Sequence, residues 1–220
     1  MSQDGPTLGS VLSHADAVLF DFDGPLCDVF AGMPSDSVAR SLEELTGPTG
    51  TDDPLEVLRI ASKRPDVDVR LVDDQLIAAE IQAVASSVAN ADGVAALKSC
   101  IRLGRQVGIV SNNSERAIRA FLAAHELSDS GFLVVGRAYG RPDLMKPSPW
   151  GLRRSLAELA ASAERSVFIG DSFSDIEAAR VIGTQCIALA NKPGKRARFE
   201  AARAVVIENM SEVSALLATY

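Results

Sequence analysis

Short apolar runs recur along the chain at residues 17–21, 106–110, 132–136, 166–169 and 185–189, each followed by small or polar residues. Runs of about five residues with no polar alternation predict strands covered on both faces. The stretches between them place apolar residues three or four apart, which predicts helices over about 94–103, 115–124, 150–161 and 176–182. Residues 204–207 predict an edge strand, and a last helix begins at Ser211. Strands alternating with helices imply right-handed crossovers. The expected fold is therefore α/β, a three-layer sandwich with a mostly parallel sheet.

One block breaks the alternation. Between residues 30 and 91 the pattern is helical throughout, with no strand expected. Val38, Leu42 and Leu45 share one face, Leu55, Leu58 and Ile60 another, and Leu76, Ile77, Ile81 and Val84 mark a longer helix over about 71–90. Glycine, proline and aspartate at 47–54 and 64–66 separate these helices. The chain thus divides into an α/β core, residues 1–28 and 92–220, and an inserted helical cap, residues 29–91. The two are joined near 28–34 and 90–93, and residues 1–15 read as a loose lead-in.

Composition narrows the class. The chain has 220 residues, 47% of them hydrophobic, enough for one core with a modest insertion. A net charge of −7 argues against nucleic acid as a partner. The polar start is not a signal peptide, and no apolar run approaches the roughly 20 residues of a membrane span. Cys27, Cys100 and Cys186 are odd in number and widely spaced, so they read as reduced thiols in a cytoplasmic protein.

Chemistry gathers where strands end. Asp21 closes the first run and Asp23 follows two residues on, before the turn Gly24-Pro25. A surface turn would explain this pair, but buried charges must be paired or bind metal, and strand ends are where open α/β sheets hold ligands. Ser111, Asn112 and Asn113 follow the second strand. Their hydroxyl and backbone N–H groups suit a phosphate oxygen, and Asn113 or Ser114 also fits as the cap of the next helix. Lys146 lies in a loop beside Pro147-Ser148-Pro149, where a solvated charge is the commoner role. Asp171 and Asp175 repeat the logic of the first pair, although Asp175 could simply cap a helix. Acids from two different strand ends make a hard-oxygen site that suits Mg²⁺ better than zinc.

Taken in order, Asp-x-Asp, Ser, Lys and Gly-Asp-x-x-x-Asp, the chain resembles the haloacid dehalogenase-like superfamily in its phosphatase branch. The motifs run from Asp21 to Asp175, and the helical block sits where that family inserts its first (C1) type of cap, so the resemblance covers nearly the whole chain. It implies a Rossmann-like core and a small phosphorylated substrate, in a monomer or homodimer. It makes Asp21 the nucleophile that takes the phosphoryl group and Asp23 the general acid and base. Ser111 hydrogen-bonds the phosphoryl group, and Lys146 neutralises its charge. Asp171 binds Mg²⁺ with the Asp21 carboxylate and the Asp23 backbone carbonyl. Asp175 supports the metal, and Asp28 matches an acid at the start of the cap hinge. Pro25 departs from the family's usual Thr or Val and removes a backbone donor beside the nucleophile.

The same acids would serve a sugar-phosphate mutase of the β-phosphoglucomutase kind, and the fold also carries non-catalytic phospho-accepting or scaffold proteins. A dehalogenase would not use a second acid at Asp23. Substrate contacts are expected from the 47–53 loop and from Arg59, Lys63, Arg64 and Arg70. Cys27, close to Asp23, reads as an inert buried thiol.

Overall fold

In the computed structural model, which describes residues 5–127 and 131–220, helix α1 (Leu8–His14) leads into strand β1 (Ala17–Phe20). A two-residue strand β2 (Cys27–Asp28) follows, then helices α2 (Ser35–Thr46), α3 (Pro54–Ala61) and α4 (Val69–Val84). The short strand β3 (Val88–Ala89) returns antiparallel to β2. Beyond it come α5 (Ala91–Arg102), β4 (Gln106–Val110), α6 (Glu115–Ala124), β5 (Leu133–Val135) and α7 (Trp150–Glu158). The chain ends with β6 (Ser166–Gly170), α8 (Phe173–Ile182), β7 (Gln185–Leu189), α9 (Lys195–Ala201), β8 (Val205–Ile207) and α10 (Ser211–Leu217).

The large sheet has six strands in the order β5-β4-β1-β6-β7-β8, and every pair in it is parallel. Each residue of β1 is buried. Val18 and Phe20 point into one apolar cluster, with α1, α5, α6 and α10, while Leu19 points into the other, with α7, α8 and α9. This is the period-two geometry of a strand, and burial on both faces is why the run shows no polar alternation. From β1 the chain crosses to β4 on one side and later to β6 on the other. The crevice at the carboxyl ends of these three central strands is a topological switch point.

Helices α2, α3 and α4 share a separate small core built from Val38, Leu42, Val57, Leu58, Val72 and Leu76. Leu45, Leu55 and Ile60 are only partly buried. The far end of α4 belongs to the main core, where Ala83 and Val84 pack with Phe22 and Val29.

Several sequence expectations need correction. Residues 8–14 are a helix, not a loose lead-in. Thr7 and Ser10 form a reciprocal cap, and Val11 and Leu12 are buried. The helix expected over 71–90 ends at Val84, and Val88–Ala89 pairs with Cys27–Asp28, so the block 30–91 is not free of strand at its last residues. A seven-residue helix, α9, was not expected between β7 and β8.

The ribbon of β2 and β3 brings the start of α5 against the turn after β1. Asn90 caps α5 through Gly93 N–H at 3.1 Å, and its own N–H donates to the Leu26 carbonyl at 2.8 Å. A methyl group at Gly93 would stand 1.8 Å from the Pro25 carbonyl oxygen. In an open helix, alanine for glycine gains up to about 1 kcal/mol. Here Gly93→Ala is expected to lose about 3 kcal/mol, the upper range for forced overpacking. The urea midpoint should fall at unchanged slope, and an unchanged or raised midpoint would show that the turn yields freely.

Candidate active site

Each strand that flanks the switch point delivers one chemical group. β1 ends at Asp21, whose backbone N–H donates to the Ile169 carbonyl of β6 at 2.8 Å. Asp23 stands in the turn, with one carboxylate oxygen accepting the Val29 N–H at 3.0 Å. β4 ends at Ser111, and its neighbour Ser114 is the cap of α6, through Ala117 N–H at 3.2 Å. β6 leads to Asp171, and Ser172 caps α8 in a reciprocal pair with Asp175. Gly24 has φ +96°, and a side chain there would strike the Asp171 carboxylate at 2.6 Å. The turn after β1 is thus pressed against the acid after β6.

Lys146 joins these groups. It comes from the loop after β5, is 4% exposed, and places its ammonium 2.8 Å from Asp21 Oδ2 and 2.7 Å from Asp175 Oδ1. Neither approach is aligned as a hydrogen bond, so both are ion pairs. The other oxygen of Asp175 takes the N–H groups of Asp171 and Ser172 at 3.0 and 2.9 Å, and the Ser172 hydroxyl at 2.7 Å. Asn112 fixes the lysine's backbone from both sides. Its side-chain oxygen accepts the Lys146 N–H at 2.8 Å, and its amide donates to the Lys146 carbonyl at 3.2 Å. What Asn112 can offer a ligand is therefore its backbone N–H.

Desolvation dominates the electrostatics. Burial pushes Asp21 up to about 7, against the pull of Lys146 and with the help of the Asp175 charge. Burial also raises Asp23 to about 6, with the Val29 N–H opposing it and Asp171 adding to it. For Lys146, burial disfavours the ammonium, but the charges of Asp175 and Asp21 outweigh that and the net shift is upward. Asp21, buried, and Asp23, half-buried, thus both hold a proton more tightly than a free carboxylate, and a cation placed beside them would favour their ionised forms.

Carboxylate oxygens of Asp21, Asp171 and Asp175 lie within 4.8 Å of one another. All are hard oxygen donors, as a divalent ion such as Mg²⁺ requires. Asp175 is fully buried and does not line the cleft, whereas Asp21 and Asp171 do, which leaves those two as the acids that an ion in the cleft can reach. The residues present fit such a group.

These residues line a cleft of about 920 Å³, with Asp21, Asp23, Ser111, Lys146 and Asp171 on the floor and Pro54, Glu56 and Arg59 of α3 on the roof. Arg59 donates to the Lys146 carbonyl at 2.7 Å and to Glu56 at 3.2 Å. The other basic candidates do not line it. Arg64 donates to the Thr46 carbonyl, Arg70 packs over Gly140, and Lys63 is exposed. Asp28 is exposed in β2 and does not line the cleft. Cys27 and Cys186 are buried with their thiols pushed up by desolvation, and Cys100 is pushed up to about 12.

One group at the site was missed. Arg137, just after β5, is buried between the core and α4. It donates to Asp73 at 2.7 Å, to Glu80 at 2.8 Å and to the Asn112 carbonyl at 2.7 Å. Glu80 in turn accepts the Ser114 N–H at 2.9 Å and the Asn113 amide at 3.3 Å, while Asp73 accepts the Gly140 N–H at 2.7 Å. The loop after β4 is thus held by two acids of α4. The signal was available: Asp73 and Glu80 fall on the same face as Leu76, Ile77 and Val84, and Arg137 follows a strand as Asp21 and Asp171 do.

The family model for haloacid dehalogenase-like hydrolases matches residues 18–189 of this chain. A phosphoglycolate phosphatase from Pseudomonas syringae pv. syringae is 28% identical over 195 residues, covering 78% of this chain and 68% of the relative. Another from Pseudomonas putida is 24% identical over 188 residues, again 78% of this chain and 68% of the relative. Among solved structures, a haloacid dehalogenase-like hydrolase from Bacteroides fragilis superposes with a TM-score of 0.72 at 26% identity, covering 90% of this chain and 99% of that one. CbbY from Rhodobacter sphaeroides, solved with phosphate, shares the fold at a TM-score of 0.69 and 19% identity, covering 93% of this chain and 99% of that one.

Proposed function

The chain belongs to the haloacid dehalogenase-like hydrolases and is a phosphatase, and we propose that it hydrolyses a small phosphorylated metabolite with Mg²⁺ bound, through an aspartyl-phosphate on Asp21. The observation that carries this reading is the contact of Lys146 with Asp21 and Asp175 in a cleft that also holds Asp23, Ser111 and Asp171. Phosphoryl transfer is chiefly positioning and neutralisation of charge, and this floor supplies both.

In the first step an oxygen of Asp21 attacks phosphorus and the ester P–O bond breaks. Asp23 gives its proton to the departing oxygen, and its raised affinity for that proton suits it to do so. In the second step water attacks the phosphorus, Asp23 takes the water's proton, and the bond to Asp21 breaks to release phosphate. Ser111 and the backbone N–H of Asn112 bind the phosphoryl oxygens, and Lys146 offsets their charge. Asp21, Asp171 and the Asp23 carbonyl would hold Mg²⁺, which supplies the charge that lets a dianion approach a carboxylate. Residues 29–91 act as a cap that shapes the cleft above the nucleophile.

Phosphoglycolate, named for the relatives, is the first compound to try in a screen of phosphorylated metabolites for phosphate release. Chelation is expected to abolish release, Mg²⁺ to restore it, and Ca²⁺ to substitute poorly because of its looser coordination. Full activity in excess chelator would remove the metal from the mechanism.

A further inference from the structure

Asp171 already carries a cation of the protein's own. The Lys195 ammonium donates to Asp171 Oδ2 at 2.7 Å, to the Asp171 backbone carbonyl at 2.6 Å and to Asn191 Oδ1 at 2.9 Å. A lysine ammonium has three hydrogens, and here each has an acceptor. The Asn191 amide adds a further donor to Asp171 Oδ2 at 3.2 Å. Asn191 lies in the turn between β7 and α9, and Lys195 is the first residue of α9, directly after Gly194, which sits in the left-handed region at φ +81°.

The site therefore has two tethered ammonium groups, Lys146 on Asp21 and Asp175 and Lys195 on Asp171. Lys146 is buried and shared by Asp21 and Asp175, so its place is fixed. Lys195 is different: its side chain is 22% exposed and it holds a single acid, itself 20% exposed, so the ammonium can leave for water. It grips an oxygen of Asp171, which with Asp21 faces the cleft where an ion would bind.

We propose that Lys195 is a displaceable counter-cation of Asp171, which a divalent ion must move aside to bind, and that it thereby sets the affinity of the site for metal. Two cations on one carboxylate oxygen repel each other, so metal and ammonium bind Asp171 in competition. In the metal-free protein Lys195 offsets the mutual repulsion of Asp21, Asp23 and Asp171. Asn191 keeps the ammonium poised by accepting one of its hydrogens. The inference rests on the Mg²⁺ reading above and adds to it a residue outside the four motifs.

The test is calorimetric titration of MgCl₂ into the metal-free full chain, alongside melting curves with and without Mg²⁺. Lys195→Met is expected to bind Mg²⁺ about five- to tenfold more tightly than wild type, the scale of losing one partly exposed competing ion pair. Its metal-free melting temperature should fall and its Mg²⁺-induced rise should grow. Lys195→Arg, which keeps the charge, should stay near wild type. Asn191→Ala, which only loosens the lysine, should tighten binding by a smaller factor. Equal or weaker Mg²⁺ binding by Lys195→Met, with binding intact in wild type, overturns the role of Lys195 alone. Absence of binding in both proteins overturns the Mg²⁺ reading together with it.

Discussion

Asp23→Asn is expected to release a burst of nitrophenol from nitrophenyl phosphate and then stall, with steady turnover lowered about 10²–10⁴-fold. Nitrophenolate is stable without a proton, so attack by Asp21 should largely survive the change. The second displacement still needs a base for water, and asparagine is none. Phosphorylated Asp21 should therefore accumulate, visible as added mass on the intact protein. An alkyl phosphate gives the opposite pattern, because an alkoxide must be protonated as it leaves and the first step itself should slow. Asp21→Asn should give no burst with either compound. Burial lifts both acids in the metal-free protein, Asp21 to about 7 and Asp23 to about 6, so this division of labour depends on cations beside Asp21: the Lys146 ammonium at 2.8 Å and the Mg²⁺ that Asp21 would share with Asp171 both favour its ionised form. Equal steady activity of Asp23→Asn and wild type on an alkyl phosphate would remove Asp23 from the mechanism.

Arg137→Met should be among the most destabilising single changes in the molecule, by about 3–5 kcal/mol, the cost of leaving buried charge without its partner. That is a large share of a typical domain stability of about 5–15 kcal/mol. Asp73 and Glu80 have fully buried side chains, and each would keep only backbone and amide donors. Replacing all three residues with apolar side chains would remove the stranded charges. It would also take away the acceptors of the Ser114 and Gly140 N–H groups, so stability should return only in part. Urea unfolding of the single and triple variants reads this directly. A loss under about 1 kcal/mol for Arg137→Met would show that water reaches the acids.

The sheet was legible in the sequence because its strands are covered on both faces, and an apolar run is then the whole signal. The floor of the cleft was legible for a related reason. A carboxylate, hydroxyl or glycine directly after such a run, as at Asp21, Ser111 and Asp171, sits where the sheet opens. Elements held by distant partners were not legible. Helix α9 buries only Phe199 on its own account, so seven residues showed no periodicity. β2 and β3 have two residues each and exist only through each other across the helical block. Lys195 reaches Asp171 from 24 positions away, and nothing local marks it apart from any other surface lysine. Arg137 was overlooked because an arginine after a strand reads as solvated, whereas here it joins acids 57 and 64 residues earlier.

The buried Arg137 network bolts the helical block to the core through α4. A swing of the whole block about the β2–β3 ribbon would carry Asp73 and Glu80 off Arg137 and strand charges in the core. Helix α4 is therefore the jamb. Helices α2 and α3 share a core with α4 through Val72 and Leu76, and α3 also reaches the floor of the cleft through Arg59, a partly exposed side chain on the Lys146 carbonyl. Through Arg59, α3 is a lintel that rests on the same backbone that carries the lysine at the nucleophile.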